Sequence, residues 1–375
     1  MAKMDQALIV GGGIAGMSCA IQLRKIGIAV DLVEIDADWR AYGAGLTITG
    51  PTLRALRSIG VLDEVKAQGA TWSGAKVHDA DGRLLEEIPI PPLSDDLPAT
   101  GGIMRPVLHR ILSAKTLEGG TNVQLGKTVA SLHEGEHDVE AIFSDGSRGR
   151  YDLAIGADGI FSSIRKQVFA DAAQPHFTGQ VVYRLVAERP AGFDRSHFFM
   201  GTDTKVGFNP VSATHMYMFL LHPAPDNPHI PTEEQPARLY ERMAGFGGFV
   251  PQIRETVLTS NRDSVNYKPL EIFLQPAPWH KGHVLLIGDA AHATTPHLAS
   301  GAGMAIEDGI VLAEELGKGD GLAPALERFM ARRYDRCRQV IENSVRLGQM
   351  EMAHASPHEH GTLMAESLRI LRAPI

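Results

Sequence analysis

Three glycines near the start of the chain have the spacing of a dinucleotide-binding turn. Gly11, Gly13 and Gly16 follow the apolar run 7–10 in a G-x-G-x-x-G pattern. In such a turn the first glycine permits the sharp bend, the second lets the backbone approach a pyrophosphate, and the third lets helix and strand pack closely. The pattern predicts that this turn binds the phosphates of a dinucleotide, and it does not distinguish FAD from NAD.

The residues around this turn complete the expected site. Ile14 and Ala15 begin a helix whose N-terminus would present free N–H groups to phosphate oxygens. Glu34 follows the next buried strand, about 20 residues beyond the glycines, where an acidic side chain commonly binds ribose hydroxyls. Strand, turn, helix and acid together favour dinucleotide binding over a glycine-rich turn with no ligand.

Two later strand ends combine glycine with aspartate. The buried run 151–156 leads into Gly156-Ala157-Asp158-Gly159, and the glycines beside Asp158 indicate close backbone contact with a ligand or with another element. The run 284–287 leads into Gly288 and Asp289. Asp289 is placed to accept hydrogen bonds from ribityl or ribose hydroxyls.

A second glycine-containing turn follows Asp289. Beyond Pro296, the residues Gly301, Ala302 and Gly303 open another helix. Its N-terminus suits the electron-rich edge of a flat ligand, because unpaired N–H groups carry partial positive charge there. A nicotinamide dehydrogenase without flavin has no use for a second turn of this kind, which favours a flavin over NAD alone.

The segments that must position these motifs are of two kinds. Buried strands and helices occupy both ends of the chain, whereas residues 181–221 hold several short strands with few helices. We therefore expect an α/β fold in which a Rossmann-like nucleotide-binding domain is interrupted by an antiparallel-sheet substrate domain and followed by a long C-terminal helix. The expected boundaries are 1–70, 101–172 and 277–350 for the first domain, 71–100 and 173–276 for the second, and 351–375 for an unassigned tail.

Composition narrows the class of protein. The chain has 375 residues, 44% of them hydrophobic, which suits two folded domains rather than a disordered protein. Its net charge of −8 disfavours nucleic-acid binding. Two cysteines permit neither a disulfide framework nor a cysteine zinc site. With no signal peptide and no long apolar run, we expect a cytoplasmic protein that binds no membrane and no metal.

The three motifs, in this order and spacing, resemble those of the single-component FAD-dependent aromatic hydroxylases. These are the group A flavoprotein monooxygenases of the 4-hydroxybenzoate and salicylate hydroxylase type. The resemblance covers roughly residues 6 to 350 and is most specific between Gly288 and Asp308. It implies an FAD-binding domain of the glutathione-reductase type.

The resemblance assigns FAD contacts residue by residue. Arg105 matches the arginine that reaches the ribityl and phosphate region, and Val129 falls where a strand backbone contacts the adenine. Gly45 belongs to a glycine loop beside the isoalloxazine, and Asp158 to an element serving both FAD and the reduced nicotinamide. The sequence departs from its relatives after Pro296-His297, where Leu298-Ala299-Ser300 replaces a frequent Gln-Gly.

The resemblance also implies the chemistry, which the cofactor would carry out. NADH or NADPH would reduce FAD, O2 would add at the flavin C4a position, and the hydroperoxide would hydroxylate an activated ring. The expected substrate is a small phenolic acid or hydroxypyridine type of aromatic, with a general base nearby. We expect no nucleic-acid or membrane partner, and a monomer or homodimer.

Candidate catalytic residues come from the middle sheet and from the loop after Pro296. Tyr183, Arg184, His215, Tyr217 and His222 are the polar candidates in the sheet. We expect at most one of His215 and Tyr217 to face the substrate and favour Tyr217, while Arg184 could pair with a substrate carboxylate. Pro296 is expected to shape the oxygen site and His297 to line the pocket.

Several alternatives stay open at this stage. A flavoprotein oxidase or reductase of the same fold would carry the same motifs. A nicotinamide-dependent dehydrogenase without flavin and a non-catalytic flavin-binding module fit less well. Away from the site, His354, His358 and His360 are expected in a solvated tail, and the segment 332–335 on the solvated face of the last helix.

Overall fold

The computed structural model describes residues 4–41, 43–169, 173–259 and 265–375. In these ranges the strands are β1 (Gln6–Val10), β2 (Ala29–Glu34), β3 (Gly45–Thr49), β4 (Ala70–Trp72), β5 (Ala75–Asp79), β6 (Leu84–Ile88), β7 (Thr100–Met104), β8 (Asn122–Leu125), β9 (Val129–Glu134), β10 (Val139–Phe143), β11 (Arg148–Tyr151), β12 (Leu153–Gly156), β13 (His176–Glu188), β14 (Ser196–Met200), β15 (Lys205–Pro210), β16 (His215–Pro223), β17 (Asn266–Ile272), β18 (His280–Lys281) and β19 (Val284–Leu286). The α-helices are α1 (Ile14–Lys25), α2 (Gly50–Ile59), α3 (Leu62–Gln68), α4 (Arg105–Glu118), α5 (Ser163–Val168), α6 (Gln235–Arg242), α7 (Val250–Val257), α8 (Asp289–His292), α9 (Gly301–Leu316), α10 (Leu322–Met352) and α11 (Pro357–Arg372).

A six-stranded sheet with the order β18-β19-β12-β1-β2-β8 forms the centre of the nucleotide-binding part. All of its pairings are parallel except β18 with β19. The central strand β1 shows no hydrophobic alternation, since Ala7 to Val10 are each at most 2% exposed. A strand covered on both faces has this pattern, as parallel sheets do. Helices α1 and α9 pack so closely here that a Cβ on Gly309 would meet the backbone of Cys19.

A seven-stranded sheet with the order β17-β13-β16-β15-β14-β5-β6 forms the second part. Its pairings are antiparallel except that of β14 with β5. Side chains alternate between its faces. One face, including Leu185 and Met218, packs with residues of α6 and α7 in a single core. The other face carries Arg184, Tyr217 and Phe219, and we call it the site face.

A small sheet with the order β3-β7-β4 joins the two parts. At Gly45 in β3, a Cβ would lie 2.6 Å from both the Tyr217 Cβ and a Val211 methyl. At Gly102 in β7, a Cβ would meet the Pro210 carbonyl. Glycine is therefore required at these positions by close approach, and one end of the site face rests on this small sheet.

The fold class agrees with the sequence prediction. The strands of the seven-stranded sheet come from residues 75–88 and 176–272, although the exact domain division remains a prediction. The C-terminal residues that showed no pattern form the end of α10 and the whole of α11. The solvated face expected at 332–335 was wrong for Arg333, whose side chain is fully buried. Among the described residues, no helix is long and apolar enough to cross a membrane.

Candidate active site

The glycine turn after β1 leaves its backbone open at one position. Gly11 has a φ of 111°, and a Cβ there would collide with the carbonyl of Ala157. A Cβ on Gly16 would likewise collide with the Gly11 carbonyl, whereas a Cβ on Gly13 would meet nothing within 4 Å. Gly13 is also the N-cap of α1, with no side-chain hydrogen bond to the first turn. The helix thus presents unpaired N–H groups at an open surface, a suitable site for phosphate.

Glu34 and Trp39 hold this turn from the side. The Glu34 carboxylate accepts hydrogen bonds from the backbone N–H of Gly12 (2.7 Å) and of Asp36 (2.8 Å). The Trp39 indole N–H donates to the Gly12 carbonyl at 2.9 Å. Trp39 was missed in the sequence, because an aromatic residue in the loop after β2 has no motif to mark it.

The second motif, residues 156–159, lies against the glycine turn at the Ala157 carbonyl, and its Asp158 side chain caps α5. The Asp158 carboxylate accepts hydrogen bonds from the backbone N–H groups of Ser163 (2.7 Å) and Ile164 (3.1 Å) at the start of α5. Arg165, fully buried, donates to the Ala290 carbonyl at 2.8 Å. The described hydrogen-bond partners of the Asp158 carboxylate thus all lie in residues 162–164. Arg165 links this segment to the third motif through the Ala290 carbonyl.

A buried ion cluster holds the third motif, the turn at Gly288 and Asp289, in place. Asp308 in α9 accepts from the Gly288 N–H at 2.8 Å, and its carboxylate lies 2.6 Å from the His292 ring nitrogen. Arg333 in α10 donates to the other Asp308 oxygen at 2.8 Å and to Glu307 at 2.7 Å. Burial acts to lower the pKa of His292, but the Asp308 carboxylate raises it well above its usual value. The Asp308 carboxylate thus favours the protonated form of the imidazole.

Cys337 completes a possible metal-ligand triad with His292 and Asp308, but its surroundings oppose a cation. The ligand atoms of the three lie within 4.8 Å of one another. However, the Arg333 guanidinium donates both to Asp308 and to the Cys337 sulfur (3.4 Å). A second cation would face this buried positive charge, so we interpret the group as an ion network.

Asp289 and Arg105 extend from the nucleotide-binding part toward the site face. Both retain exposed surface, yet each is surrounded by protein atoms that change its ionisation. Burial raises the pKa of Asp289, while His292 and Arg105 act to lower it. Burial, together with the nearby Arg184 charge, lowers the pKa of Arg105. Exposed surface combined with desolvation is what a polar group lining a cleft would show.

The first turn of α9 is made of small residues. Gly301, Ala302 and Gly303 open the helix, and a Cβ on Gly303 would collide with the Thr52 hydroxyl. Its N-cap, Ser300, makes no side-chain hydrogen bond to the helix. A single 3-10 turn, Pro296–Leu298, precedes it and ends at Ala299, with a φ of 47°. The N-terminus of α9 therefore offers a second set of unpaired N–H groups.

Comparison with known proteins matches this architecture over most of the chain. A family model described as an FAD binding domain matches residues 4–344. The chain is 34% identical to a putative FAD-dependent monooxygenase, YetM, of Bacillus subtilis, over 90% of this chain and 91% of that protein. It is 28% identical to an FAD-dependent urate hydroxylase of Klebsiella pneumoniae, over 90% of this chain and 88% of that one. The chain belongs to the FAD-dependent monooxygenases of the aromatic hydroxylase family.

Two further comparisons describe the range of this family. The chain is 33% identical to the 2-heptyl-3-hydroxy-4(1H)-quinolone synthase of Pseudomonas aeruginosa, over 82% of this chain and 79% of that protein. A solved structure of Klebsiella pneumoniae HpxO, complexed with FAD and uric acid, superposes with a TM-score of 0.84 and 25% identity. That match covers 98% of this chain and 93% of the other. A flavin-free dehydrogenase is inconsistent with membership of this family.

The residues of this monooxygenase fit FAD. Two helix N-termini without side-chain caps, at Gly13 and Ser300, can receive anionic or electron-rich groups. A side chain at Gly13 would have only open space around it, which leaves room for a pyrophosphate. Arg105 and Asp289 supply a cation and an anion on exposed surface beside them. Val129 begins β9 and is buried, and its contact with an adenine stays a prediction.

The predicted catalytic residues of this monooxygenase are dispersed. Tyr217 lies on the site face, and Arg184 donates to its hydroxyl at 3.1 Å. His215 shares that face because it is two positions away, but it is exposed at the start of β16 and bonds to Thr214. Tyr183 and His222 stack on the opposite face of the sheet.

The His297 ring lies between Thr295 and the C-terminal helices. Its side chain is 1% exposed, one ring nitrogen contacts the Thr295 hydroxyl at 2.9 Å, and the other lies 3.6 Å from the Glu351 carboxylate. Pro296, its neighbour, begins the 3-10 turn before α9. A direct catalytic role for His297 stays a prediction, and its ring nitrogens face Thr295 and Glu351.

Proposed function

We propose that this enzyme uses NADH or NADPH and O2 to hydroxylate a small hydroxylated aromatic or N-heteroaromatic compound. The observation that carries the proposal is the Arg184–Tyr217 pair on the site face, next to Arg105 and Asp289. Val186 and Phe219 flank the pair and are half-buried. Such a surface suits a flat ring with one anionic or hydroxyl substituent.

The chain's own residues would hold the cofactor and orient the ring. When bound, FAD supplies the redox chemistry by which oxygen is activated. The Gly13 and Ser300 helix ends would receive its phosphates and ring edge, and Arg105 and Asp289 its polar linker. Tyr217 accepts a hydrogen bond from Arg184, so its own proton is available for donation to a substrate oxygen. Arg184 would stabilise negative charge on that oxygen when the substrate binds with its hydroxyl already ionised.

Two relatives favour a ring that contains nitrogen, and a third favours a benzoate. Those named above include a quinolone synthase and a urate hydroxylase. A third, 30% identical over 91% of this chain, is a 3-amino-4-hydroxybenzoate 2-monooxygenase of Streptomyces cremeus. We therefore place hydroxyquinolines and hydroxylated purines first in the proposed substrate class, and hydroxybenzoates second.

Anaerobic reduction of the bound flavin tests this proposal. The holoenzyme would be mixed with NADH or NADPH, alone and with 4-hydroxyquinoline, uric acid, 3-hydroxypyridine or 4-hydroxybenzoate. We expect one class of compound to accelerate reduction by about tenfold or more, with hydroxylated product appearing when O2 is admitted. Reduction that no compound accelerates, followed by release of all oxygen as H2O2, would instead indicate an oxidase or a reductase.

Variants of the Arg184–Tyr217 pair make the test specific. Y217F keeps the ring and removes the hydroxyl, and R184M keeps much of the stem and removes the charge. Both should reduce turnover of the accepted compound by about 100-fold while FAD stays bound. H215Q is the matched control on the same strand, because His215 is exposed at its end.

A further inference from the structure

Five polar residues meet at the end of the site face opposite Gly45, and we call them the Glu351 cluster. Its members are Glu351, Lys205, His297, His360 and Gln180. The Glu351 carboxylate forms an ion pair with Lys205 and lies 3.6 Å from the His297 ring and 3.4 Å from the His360 ring. Its side chain is only 13% exposed, so the charge is held mainly by these partners.

The cluster joins three parts of the molecule. Lys205 in β15 and Gln180 in β13 come from the substrate sheet, and both project from the site face. Glu351 and His360 come from α10 and α11, beyond the last residue matched by the family model, 344. His297 comes from the turn beside Pro296. The cluster thus bridges that turn and the substrate sheet through the Glu351 carboxylate.

Close packing holds the parts in place. A Cβ on Gly348 in α10 would lie 2.8 Å from the Gln180 amide oxygen and 2.8 Å from the His297 ring. The end of α10 is therefore wedged between the sheet and the turn. At the other end of the site face, a Cβ on Gly45 would collide with carbon atoms of Tyr217 and Val211. One end of the face is fixed by steric contact and the other by charge.

The charges make Glu351 the central member. Burial acts to raise the pKa of Glu351, but the Lys205 charge, with His297 and His360, holds it well below its usual range. Burial lowers the pKa of His297 in spite of Glu351. Glu351 is therefore ionised beside the Lys205 ammonium, which also disfavours a metal ion there. The Gln180 oxygen and one ring nitrogen each of His297 and His360 are buried without a hydrogen bond among the described residues.

We propose that Glu351 is a positioning residue, which fixes the 295–300 turn against the substrate sheet through Lys205 and His297 and so sets the height of the substrate cleft. The geometry requires no contact between Glu351 and the substrate. The consequence for substrate binding rests on the proposed function, whereas the consequence for the turn does not. His297 then belongs to this positioning contact instead of the catalytic groups.

Amide hydrogen exchange of the holoenzyme tests the positioning directly. In E351Q and in K205M, amides of residues 295–300 should exchange about tenfold faster than in the unaltered enzyme. K205R keeps the cation and should restore slow exchange. E342Q is the matched control on α10, because Glu342 pairs only with Arg338 at the surface among the described residues.

Substrate binding supplies the second readout. For the compound that accelerates flavin reduction, E351Q and K205M should raise Kd by about tenfold, with FAD still bound. The E351Q/K205M double variant should be no worse than either single variant, because both remove one contact. Unchanged exchange in both single variants overturns the proposal, as does faster exchange with an unchanged Kd. If exchange responds but no compound accelerates reduction, the proposed function fails and the positioning contact stands.

Discussion

Gly13 differs from Gly11 and Gly16 in what a side chain there would touch. Added methyl groups at the outer two positions would collide with backbone carbonyls, but one at Gly13 would meet no protein atom within 4 Å. The protein itself therefore tolerates a side chain at Gly13. Any cost of adding one must come from the ligand that approaches this turn.

We expect G13A to separate folding from cofactor binding. The free energy of unfolding of the apoprotein should change by less than about 0.5 kcal/mol, as for an unobstructed site. FAD affinity, measured by flavin fluorescence on titrating apoprotein, should fall by about tenfold or more. G16A should instead destabilise the apoprotein itself, and a G13A apoprotein with full FAD affinity would contradict the assignment of this turn.

His197 predicts a dependence of stability on pH. Burial, with His78 and Lys76 nearby, lowers the pKa of His197 to about 4. Between about pH 6.5 and pH 4 the unfolded chain therefore binds a proton that the folded chain does not. The free energy of unfolding should fall by up to about 3 kcal/mol over this interval, and be unaffected by His197 above it.

Urea unfolding across that pH interval checks the prediction. H197F keeps a ring for the stack with Phe193 and should flatten the profile. H137Q, at a fully solvated histidine, should leave it unchanged. A profile of H197F that parallels the unaltered protein would show that His197 is not the group responsible.

Side-chain direction is what the sequence predicted least well at this scale. Tyr217 and His215 lie two positions apart on β16 and share a face. His215 is exposed because it is the first residue of the strand, whereas Tyr217 is buried. His297 follows Pro296, but its ring turns toward α10, which is distant in sequence. Arg333 lies in a run of charged residues, yet its partners Glu307 and Asp308 bury it. Each outcome depends on tertiary contacts that no local pattern encodes.

At the scale of elements, the junction of α8, α9 and α10 supports the Gly288 turn. Asp308 binds that turn's N–H, His292 and Arg333 with one carboxylate. All three side chains are at most 1% exposed. Removing one charge here would leave the opposite charges buried without compensation, which is a costly change in a protein interior.

D308N should therefore be strongly destabilising. We expect a loss of about 3–5 kcal/mol in the free energy of unfolding, because Arg333 and the His292 imidazolium lose their anion. E314Q on the same helix is the control, since Glu314 pairs with Arg332 at the surface. Equal stability of the two variants in urea unfolding would refute the buried network.

The elements themselves were largely predictable. Short apolar runs followed by glycine predict strands β1 and β19. The glycine-containing turns after them predict where helices α1 and α9 begin. The order of strands was less accessible, because β1 pairs with β12 rather than with a strand close in sequence on that side. Pairing over such separations is decided by packing of the whole sheet.

At the scale of the whole molecule, the C-terminal segment closes the nucleotide-binding part. Arg336 donates to the carbonyls of Ile370 and Leu371, both at 2.8 Å, and Arg54 to that of Arg372 at 3.1 Å. Leu371 is 2% exposed and belongs to the main core. This contact was not predicted from the sequence, because the partners of α11 lie elsewhere in the chain.

L371A should show that this segment is part of the fold. Loss of a buried leucine costs about 2–5 kcal/mol in the free energy of unfolding, depending on how far the site collapses. L368A, one helical turn earlier and 37% exposed, should cost much less. Urea unfolding of the two holoenzymes compares them directly. A loss for L371A as small as that for L368A would mean that α11 is only loosely attached.

The parallel pairing of β1 with β12, and of β12 with β19, has a consequence during synthesis on the ribosome. The first strand is made at once, but β19 ends at residue 286, and α9 with its second helix end follows later still. At roughly 5–20 residues per second, about 7–30 seconds pass between synthesis of β1 and of its second neighbour β12, and during this time only β2 can pair with β1. Chaperones that cover such segments should therefore raise the yield of this enzyme more than added flavin does, since the flavin site is completed only after α9 has been made.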